Sequence, residues 1–260
     1  MIQTLPHDHG IVELRMARPP VNALHPELLQ AAAAALREAV RDGAQGIVLS
    51  GAPGMFSAGL DVPFLLGLDR PALNAAWQDF FTLCSELAHC PVPVAAAITG
   101  HSPAGGAVLA LFCDYRVMAE GRRDGERDIR YLIGLNEVQV GLIVPDPIQA
   151  ALRRLVGPYR AERLLVAGRM LESGEALAAG LVDALAPVEN VVERAAAFLR
   201  DLLALPRLAM LGTRELARAD LRAAIGRPGS VDLGPFLDAW FRDETQQVLR
   251  DLVARLKAKK

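Results

Sequence analysis

One carboxylate of this chain lies in an otherwise apolar segment. Glu137 is flanked by Ile133, Leu135, Val138 and Val140 within the sequence IGLNEVQVG. Burial among such neighbours would raise the pKa of a carboxyl group, because desolvation disfavours its charged form. A glutamate with a pKa near neutrality can take up and return protons, so Glu137 is a candidate general acid and base. The pattern by itself also fits an exposed acid at the edge of a strand.

A first glycine-containing turn, MFSAGLDV, could supply a hydrogen-bond donor to such chemistry. It spans residues 55–62 and follows a short apolar run, GIVLSG, at residues 46–51. Gly59 can adopt backbone angles that leave the amide of Leu60 free to point into a cavity. Asp61 is placed to cap a short helix that follows. An ordinary strand-to-helix turn would show the same pattern.

A second turn, HSPAGGAVLALF, follows another apolar run at residues 93–98. Its Pro-Ala-Gly-Gly sequence leads directly into a predicted helix, which places Gly105 where unpaired amides favour negative charge. One amide from each turn, those of Leu60 and Gly105, could therefore stabilise an oxyanion. A Gly-Gly pair also serves close helix packing. The sequence contains no GxGxxG dinucleotide fingerprint and no P-loop.

Composition and charge limit the class of protein. The 260 residues are 52% hydrophobic, which predicts a substantial core. The 30 acidic and 28 basic residues give no general attraction to nucleic acid or to membranes. The three cysteines have no metal-ligand spacing, and their odd number argues against a disulfide framework. We expect a cytoplasmic protein with no bound metal, no N-terminal targeting signal and no membrane-spanning segment.

Strands and helices alternate in the first part of the chain. The apolar runs before the two turns are predicted strands, and further strands are predicted at Ile11–Met16 and Tyr115–Ala119. Alternation in the first strand places Glu13 and Arg15 on a polar face. A helix is predicted from Pro26 onwards. Strands separated by helices indicate crossover connections and an α/β architecture.

Helical periodicity dominates after about residue 147. Helices are predicted at residues 148–156, 160–167, 174–179 and 191–205 and in the last stretch of the chain, with one more short strand at 181–185. Loops are predicted at residues 227–235 and, densely charged and solvated, at residues 121–128. We therefore divide the chain into an α/β core, residues 1–190, and a C-terminal helical region, residues 191–260. The helical region would serve assembly or pack onto the core.

Several motifs together resemble the enoyl-CoA hydratase/isomerase (crotonase) superfamily. They are PPVNAL, FSAGLD, SPAGG, CDYR and IGLNE, and the resemblance extends over about residues 10–187. Within the superfamily, they are most similar to the mitochondrial-type 3,2-trans-enoyl-CoA isomerases. The resemblance implies a crotonase-like spiral of ββα units, closed by C-terminal helices that support a homotrimer or a dimer of trimers.

The same resemblance implies roles for individual residues. The amides of Leu60 and Gly105 would bind the thioester carbonyl of an acyl-CoA, Glu137 would be the catalytic glutamate, and Asn136 would border the acyl chain. The other predicted CoA-binding residues are Val21 and Ala23 near the adenine, and Ala58, Gly59, Asp61 and Val62 along the groove. The coenzyme A thioester would be the substrate, with no further cofactor.

The second catalytic glutamate of the hydratases would fall at Val108. Adding water across a double bond benefits from two carboxylates, whereas moving the bond from C3 to C2 needs one base. The resemblance therefore implies an enoyl-CoA isomerase that converts 3-enoyl-CoA to the 2-trans isomer in fatty-acid β-oxidation. The alternatives are hydration, thioester hydrolysis or decarboxylation on the same scaffold, and a non-catalytic acyl-CoA-binding protein. The charge balance disfavours RNA binding, which occurs among some relatives of this fold.

Other polar residues near the motifs are predicted to be structural. His101 has no evident nucleophile and acid to work with, because Ser102 lacks an acid partner. Asp114 and Arg116 in CDYR are expected to pair or to cap a turn, and Cys113 is expected to be buried and unreactive. The basic tail, residues 255–260, would complement a helix C-terminus or contact CoA phosphates.

Overall fold

The computed structural model describes residues 1–125 and 127–258. The strands are β1 (Ile2–Pro6), β2 (Ile11–Met16), β3 (Gly46–Ser50), β4 (Gly54–Met55), β5 (Val94–Ile98), β6 (Gly100–Pro103), β7 (Tyr115–Ala119), β8 (Arg122–Asp124), β9 (Arg127–Ile129), β10 (Leu132–Gly134), β11 (Met170–Glu172) and β12 (Ala184–Ala186). The α-helices are α1 (Pro26–Arg41), α2 (Val62–Leu65), α3 (Arg70–His89), α4 (Gly105–Leu111), α5 (Asp146–Val156), α6 (Pro158–Ala167), α7 (Ser173–Ala179), α8 (Val191–Leu203), α9 (Arg207–Ala217), α10 (Ala219–Ile225), α11 (Gly234–Trp240) and α12 (Asp243–Ala258).

A six-stranded sheet, in the order β1-β2-β3-β5-β7-β12, forms the base of the fold. Apart from the antiparallel pair β1–β2, its neighbouring strands are parallel. Every residue of β3 and β5 is buried, as expected for apolar strands covered on both faces. The predicted strands and the α/β fold class are confirmed, although β12 begins three residues later than predicted.

A second, four-stranded sheet has the order β11-β10-β6-β4. Strands β4, β6 and β10 are parallel, and β11 is antiparallel to β10. The two glycine turns do not directly follow strands of the large sheet, so their predicted position is wrong. Each turn instead follows a short strand of this second sheet. With two residues in β4 and the polar sequence GHSP in β6, neither strand has an apolar run that could be recognised.

The C-terminal region is helical, as predicted, and its first helix packs on the large sheet. Val191, Ala195, Ala196 and Leu199 of α8 are buried. A Cβ built on Gly46 of β3 would lie 3.4 Å from Leu199 Cδ1, so the absence of a side chain there admits the helix. The division of the chain at residues 190/191 stays a prediction. Across the described ranges, no helix is both long and apolar enough to cross a membrane, and the cytoplasmic location also stays a prediction.

Two loops were predicted too long or in the wrong form. Strands β8 and β9 pair antiparallel where a loop was predicted at residues 121–128, and β9 continues to Ile129; the β8 residues are exposed, as expected. Glu126 lies outside the described residues. The predicted loop at residues 227–235 ends where α11 begins at Gly234. Both errors have the same cause: charged or glycine-containing stretches gave no periodic apolar signal.

Glu13 is buried in β2, which contradicts the polar face predicted for that strand. Only 1% of its surface is exposed. Its carboxylate accepts hydrogen bonds from Ser50 Oγ at 2.5 Å and from Arg15 Nε at 2.8 Å, and lies 3.1 Å from His7 Nε2. The apolar/polar alternation of β2 gave the wrong prediction because a charged side chain can be buried when hydrogen bonds and ion pairs satisfy it.

Candidate active site

Three chain segments meet at one edge of the second sheet. Strands β4, β6 and β10 lie side by side and parallel, so their carboxyl ends share an edge. The first turn leaves β4, the second turn leaves β6, and Asn136 and Glu137 follow β10. The carboxyl edge of parallel strands is a common position for ligand sites in α/β proteins. The structure therefore brings together the three segments that the sequence singled out.

The first turn leaves the amide of Leu60 outside the local hydrogen bonding. Gly59 has a φ of +83°, which favours glycine. Leu24 forms a parallel bridge here, donating its N–H to Gly59 O at 2.8 Å and accepting from the N–H of Asp61 at 3.3 Å. These bonds use the neighbours of Leu60 on either side. Within the described part of the chain, the Leu60 N–H itself donates no hydrogen bond.

The second turn depends on a strained residue. Ala104 has a φ of 47° and a ψ of −121°, a conformation that residues with a Cβ rarely adopt. Its N–H donates to Gly134 O at 2.8 Å, which ties the turn to β10. Gly105 is then the first residue of α4, where the N–H has no partner within the helix. Among residues 1–125 and 127–258, that N–H has no acceptor elsewhere either.

The two turns touch through their glycines. A Cβ built on Gly59 would lie 3.3 Å from the nitrogen of Gly105 and 3.2 Å from Pro103 O. A Cβ built on Gly105 would lie 3.4 Å from the nitrogen of Leu60. The free amides of Leu60 and Gly105 are therefore close neighbours, as an oxyanion site requires.

Glu137 is a buried carboxylate without a side-chain partner. It begins a turn of 3-10 helix, Glu137–Val140, and 7% of its surface is exposed. Its Oε2 atom has no hydrogen-bond partner among the described residues. Burial raises its pKa to about 7, and a hydrogen bond from its own backbone opposes that rise. This burial agrees with the apolar sequence context and excludes the interpretation as an exposed acid at a strand edge.

The residues on either side of Glu137 in the chain, Asn136 and Val138, are uncharged. Asn136 precedes it and has a buried Oδ1 with no hydrogen-bond partner in the described ranges. Val108 is fully buried in α4, one turn beyond Gly105. Among the residues that the structure describes, no other ionisable group shifts the pKa of Glu137; the causes of its shift are burial and a hydrogen bond from its own backbone. In the part of the chain that the structure describes, Glu137 thus differs from Asp61 of the first turn, which is paired with Arg18.

The predicted CoA-binding residues of the two N-terminal segments lie together. Val21 O accepts from the N–H of Ala58 at 2.9 Å. Ala23 O accepts from Arg18 Nη1 at 3.1 Å, and Arg18 Nη2 also pairs with Asp61 at 3.0 Å. Asp61 caps α2 through the N–H of Phe64, as predicted, and Val62 is the first residue of that helix. Residues 18–24 therefore line the outer side of the first turn.

Sequence reasoning missed three polar residues behind this turn. Arg18 and Asn22 belong to the motif segment ARPPVNAL, but their types and spacing do not indicate a catalytic or binding role. Ser57 lies inside FSAGLD, where the glycine is the residue that indicates a turn. Their hydrogen-bond partners either lie far away along the chain or are backbone atoms. The spacing of residue types in the sequence therefore could not reveal these contacts.

The residues predicted to be structural have structural contacts. His101 Nδ1 accepts from the N–H of Leu132 at 3.2 Å, its ring packs edge-on against Tyr131, and burial lowers its pKa. Burial raises the pKa of Cys113 to about 12, which makes an inert thiol. Of the basic tail, Lys259 and Lys260 lie outside the described residues.

Asp114 and Arg116 form structural ion pairs with charged residues elsewhere in the chain, in line with the expectation that they pair or cap a turn. Asp114 binds Arg214 at 2.7 Å and Arg218 at 3.0 Å, and its Oδ2 accepts from the N–H of Val94 at 2.8 Å. Arg116 pairs with Asp183 at 2.7 Å. The charged partners lie 67 to 104 residues away along the chain, beyond the range of local patterns. Within the described residues, no group of His, Cys, Asp and Glu side chains is arranged to bind a metal.

Comparison with known proteins agrees with this geometry. Residues 7–246 match the sequence profile described as "Enoyl-CoA hydratase/isomerase". The chain belongs to the enoyl-CoA hydratase/isomerase family. It is an enzyme of that family, and its fold has the crotonase-like form that the motifs implied.

The relatives of this enoyl-CoA hydratase/isomerase family member include both named activities. "Enoyl-CoA delta isomerase 1, mitochondrial" of Homo sapiens is 32% identical over 253 residues, covering 96% of this chain and 82% of that protein. "Probable enoyl-CoA hydratase EchA17" of Mycobacterium tuberculosis (strain H37Rv) is 33% identical over 225 residues, covering 84% of this chain and 83% of that protein. The crystal structure of human mitochondrial delta3-delta2-enoyl-CoA isomerase superposes with a TM-score of 0.88 at 30% identity, covering 100% of this chain and 99% of that one.

Proposed function

We propose that this protein is a 3,2-trans-enoyl-CoA isomerase that moves the double bond of a 3-enoyl-CoA to the 2-trans position in fatty-acid β-oxidation. The observation that carries the proposal is that the site holds one buried, unpaired carboxylate, Glu137, whose pKa is about 7. The acyl-CoA thioester is the substrate, and no other cofactor takes part. Similarity to the human mitochondrial isomerase supports the same activity.

The proposed reaction needs one proton shuttle and one oxyanion site. The Glu137 carboxylate removes a proton from C2, and the electron pair of that C–H bond delocalises onto the thioester oxygen. The N–H groups of Leu60 and Gly105 donate to the resulting enolate oxygen. Glu137, now protonated, gives the proton to C4, where the former C3–C4 π pair forms the new C–H bond. The C1–C2 π pair of the enolate moves to C2–C3, and the thioester C=O re-forms. Atoms and charge balance, and the carboxylate is restored.

The environment of Glu137 suits both halves of this cycle. A pKa of about 7 gives comparable populations of base and acid near neutral pH. Each preorganised donor at an oxyanion is worth about 3–4 kcal/mol of transition-state stabilisation in other enzymes. Two such donors, from Leu60 and Gly105, would both act on the enolate oxygen.

Val108 favours isomerisation over hydration. At the position of the second hydratase glutamate the chain has a fully buried apolar side chain on α4. Water addition would lack the carboxylate that activates the water or handles the second proton. The unpartnered Oδ1 of Asn136 is proposed to face the acyl chain beside Glu137.

The CoA moiety is proposed to follow the first turn. Val21 and Ala23 would border the adenine, and residues 58–62 the groove for the thioester arm. This placement is supported by the hydrogen bonds that join residues 21–24 to residues 58–61.

We further propose that the C-terminal helices support a homotrimer or a dimer of trimers. Leu205, Leu208 and Leu216, before and along α9, are 50%, 89% and 79% exposed. Apolar side chains exposed to this extent in one region favour association. Sedimentation velocity on the purified protein distinguishes these states from a monomer.

The direct test of function is an isomerisation assay. Purified protein is mixed with 3-hexenoyl-CoA and longer 3-enoyl-CoA thioesters, and the conjugated 2-enoyl product is followed by its ultraviolet absorbance. We expect turnover, and a kcat/KM that rises with pH up to about 7 and then levels, because only ionised Glu137 removes the first proton. Failure at every chain length contradicts the proposal. Water addition to crotonyl-CoA faster than isomerisation would assign the protein to the hydratases instead.

A further inference from the structure

Two buried polar side chains lie behind the Leu60 amide without belonging to the proposed catalytic or CoA-binding groups. Asn22 and Ser57 are 3% and 0% exposed. Asn22 has a φ of 49°, the left-handed region that is costly for most residues other than glycine. Buried polar groups and unfavourable backbone angles persist where the surrounding structure requires them.

Asn22 and Ser57 form one connected set of hydrogen bonds. Asn22 Nδ2 donates to Phe56 O at 3.1 Å, and its Oδ1 accepts from the N–H of Arg18 at 2.8 Å. Ser57 Oγ donates to Asn22 O at 2.7 Å and accepts from the N–H of Gly59 at 3.2 Å. The set therefore joins the backbone before Gly59 to the backbone before Leu24.

The orientation of the Leu60 N–H follows from this connection. The peptide unit between Gly59 and Leu60 is planar and trans, so its carbonyl and its N–H point in opposite directions. Gly59 O is fixed by the N–H of Leu24 at 2.8 Å. The Leu60 N–H must then point away from Leu24. Contacts that hold Leu24 and Gly59 in register therefore also set the direction of the Leu60 N–H.

We propose that Asn22 and Ser57 are positioning residues for the oxyanion site. They hold residues 22–24 against residues 56–59, and through the Leu24–Gly59 hydrogen bond they fix the direction of the Leu60 N–H. The proposal rests on the proposed function only in assigning the Leu60 N–H to a thioester oxygen. The hydrogen bonds of Asn22 and Ser57 thus preorganise the Leu60 N–H before substrate binds.

The test compares Ser57→Ala with Ser102→Ala. Both serines are fully buried, but Ser102 Oγ has no hydrogen-bond partner among the described residues and lies outside the connected set. The probe is 2,4-hexadienoyl-CoA, whose ultraviolet absorbance shifts to longer wavelength when donors polarise its thioester carbonyl. Stability is measured in parallel by urea unfolding.

In Ser57→Ala we expect the absorbance shift of the bound probe to shrink and kcat for 3-hexenoyl-CoA to fall about tenfold, part of the loss seen when an oxyanion donor is removed. KM should change less than kcat, because the ground-state thioester depends less on the donor than the enolate does. Ser102→Ala should retain the wild-type shift and kcat. Lower stability with an unchanged shift and kcat in Ser57→Ala would show a merely structural role and overturn the proposal.

A second variant, Asn22→Gly, tests the same proposal if Ser57→Ala does not fold. Glycine accepts the positive φ at position 22 but removes both side-chain hydrogen bonds. The same reduced shift and lower kcat are expected, and wild-type values of both would contradict the proposal. If the wild-type protein shifts the probe but does not isomerise 3-enoyl-CoA, the proposed function fails while the positioning role is still tested by the shift. A wild-type protein that binds the probe without any shift counts against the positioning role.

Discussion

Two buried glutamates in this molecule have opposite electrostatic environments. Burial raises the pKa of Glu13, but hydrogen bonds from Ser50, Arg15 and His7 outweigh it and leave the pKa below its usual value. Burial also raises the pKa of Glu137, and with no side-chain partner to oppose it the value reaches about 7. The set of hydrogen-bond partners, more than burial itself, therefore decides whether a buried acid is structural or available for proton transfer.

The backbone explains why the partners differ. Glu13 and Arg15 share one face of β2, and Ser50 on the neighbouring β3 pairs with Arg15 in register. Donors therefore converge on Glu13 from two strands. Glu137 instead begins a short 3-10 turn after β10, beside Asn136 and apolar residues. Among the described residues, the hydrogen bond to its carboxylate comes from its own backbone.

The largest expected effect is on the activity of Glu137→Gln. An amide cannot take the proton from C2, so kcat for 3-hexenoyl-CoA should fall about 10³-fold, within the range typical of a lost general base. Glu13→Gln should retain near-wild-type kcat per folded molecule, because Glu13 does not reach the site. The assay is the absorbance of the 2-enoyl product. Comparable losses in both variants would remove the distinction between the two acids.

The same Glu137→Gln variant should be more stable than the wild type at alkaline pH. Between pH 4.5 and about 7 the folded wild type keeps the Glu137 proton while the unfolded chain loses it, so wild-type stability falls as pH rises. Glutamine removes this dependence. The advantage of the variant should grow to about 3 kcal/mol above pH 7, as measured by urea unfolding at pH 4.5 and pH 8. An advantage independent of pH would contradict the raised pKa.

Glu13→Gln should have the opposite effect on stability. The lowered pKa of Glu13 stabilises the folded state above the pKa of the unfolded chain, and this contribution disappears as pH falls through the folded pKa. We expect a loss of about 2 kcal/mol at pH 7, because glutamine at this buried position has no charge to strengthen the hydrogen bonds from Ser50 and Arg15. Urea unfolding at pH 7 and pH 3 checks this, and the difference from wild type should narrow at pH 3.

The sequence predicted which elements and which glutamate are buried, but not the long-range contacts that complete the site. Apolar runs such as Gly46–Ser50 and helical periodicity such as that of α8 predict elements because burial imposes them locally. The apolar context of Glu137 likewise predicted its burial. The pairing of β4 with β6, the partners of Glu13 and the hydrogen bonds of Asn22 are long-range and involve backbone atoms, so no local pattern could indicate them.

The smallest expected effect concerns the strain at the second turn. Ala104 holds a positive φ that glycine adopts without cost, although glycine also increases the entropy of the unfolded chain. In Ala104→Gly these effects should nearly cancel, leaving the free energy of unfolding within about 1 kcal/mol of wild type. Gly59→Ala is the matched contrast, since a Cβ there would meet Pro103 O at 3.2 Å, and it should lose clearly more stability in the same urea series.

The central claim is that Glu137 is an unpaired buried acid that titrates near neutrality. An infrared titration of the protonated carboxyl C=O band, taken as the difference between wild type and Glu137→Gln, measures this directly. We predict one band that disappears with a midpoint at about pH 7 and is missing from the variant. A band that titrates at pH 4.5 or below would contradict the account, because Glu137 would then be solvated or paired like Glu13.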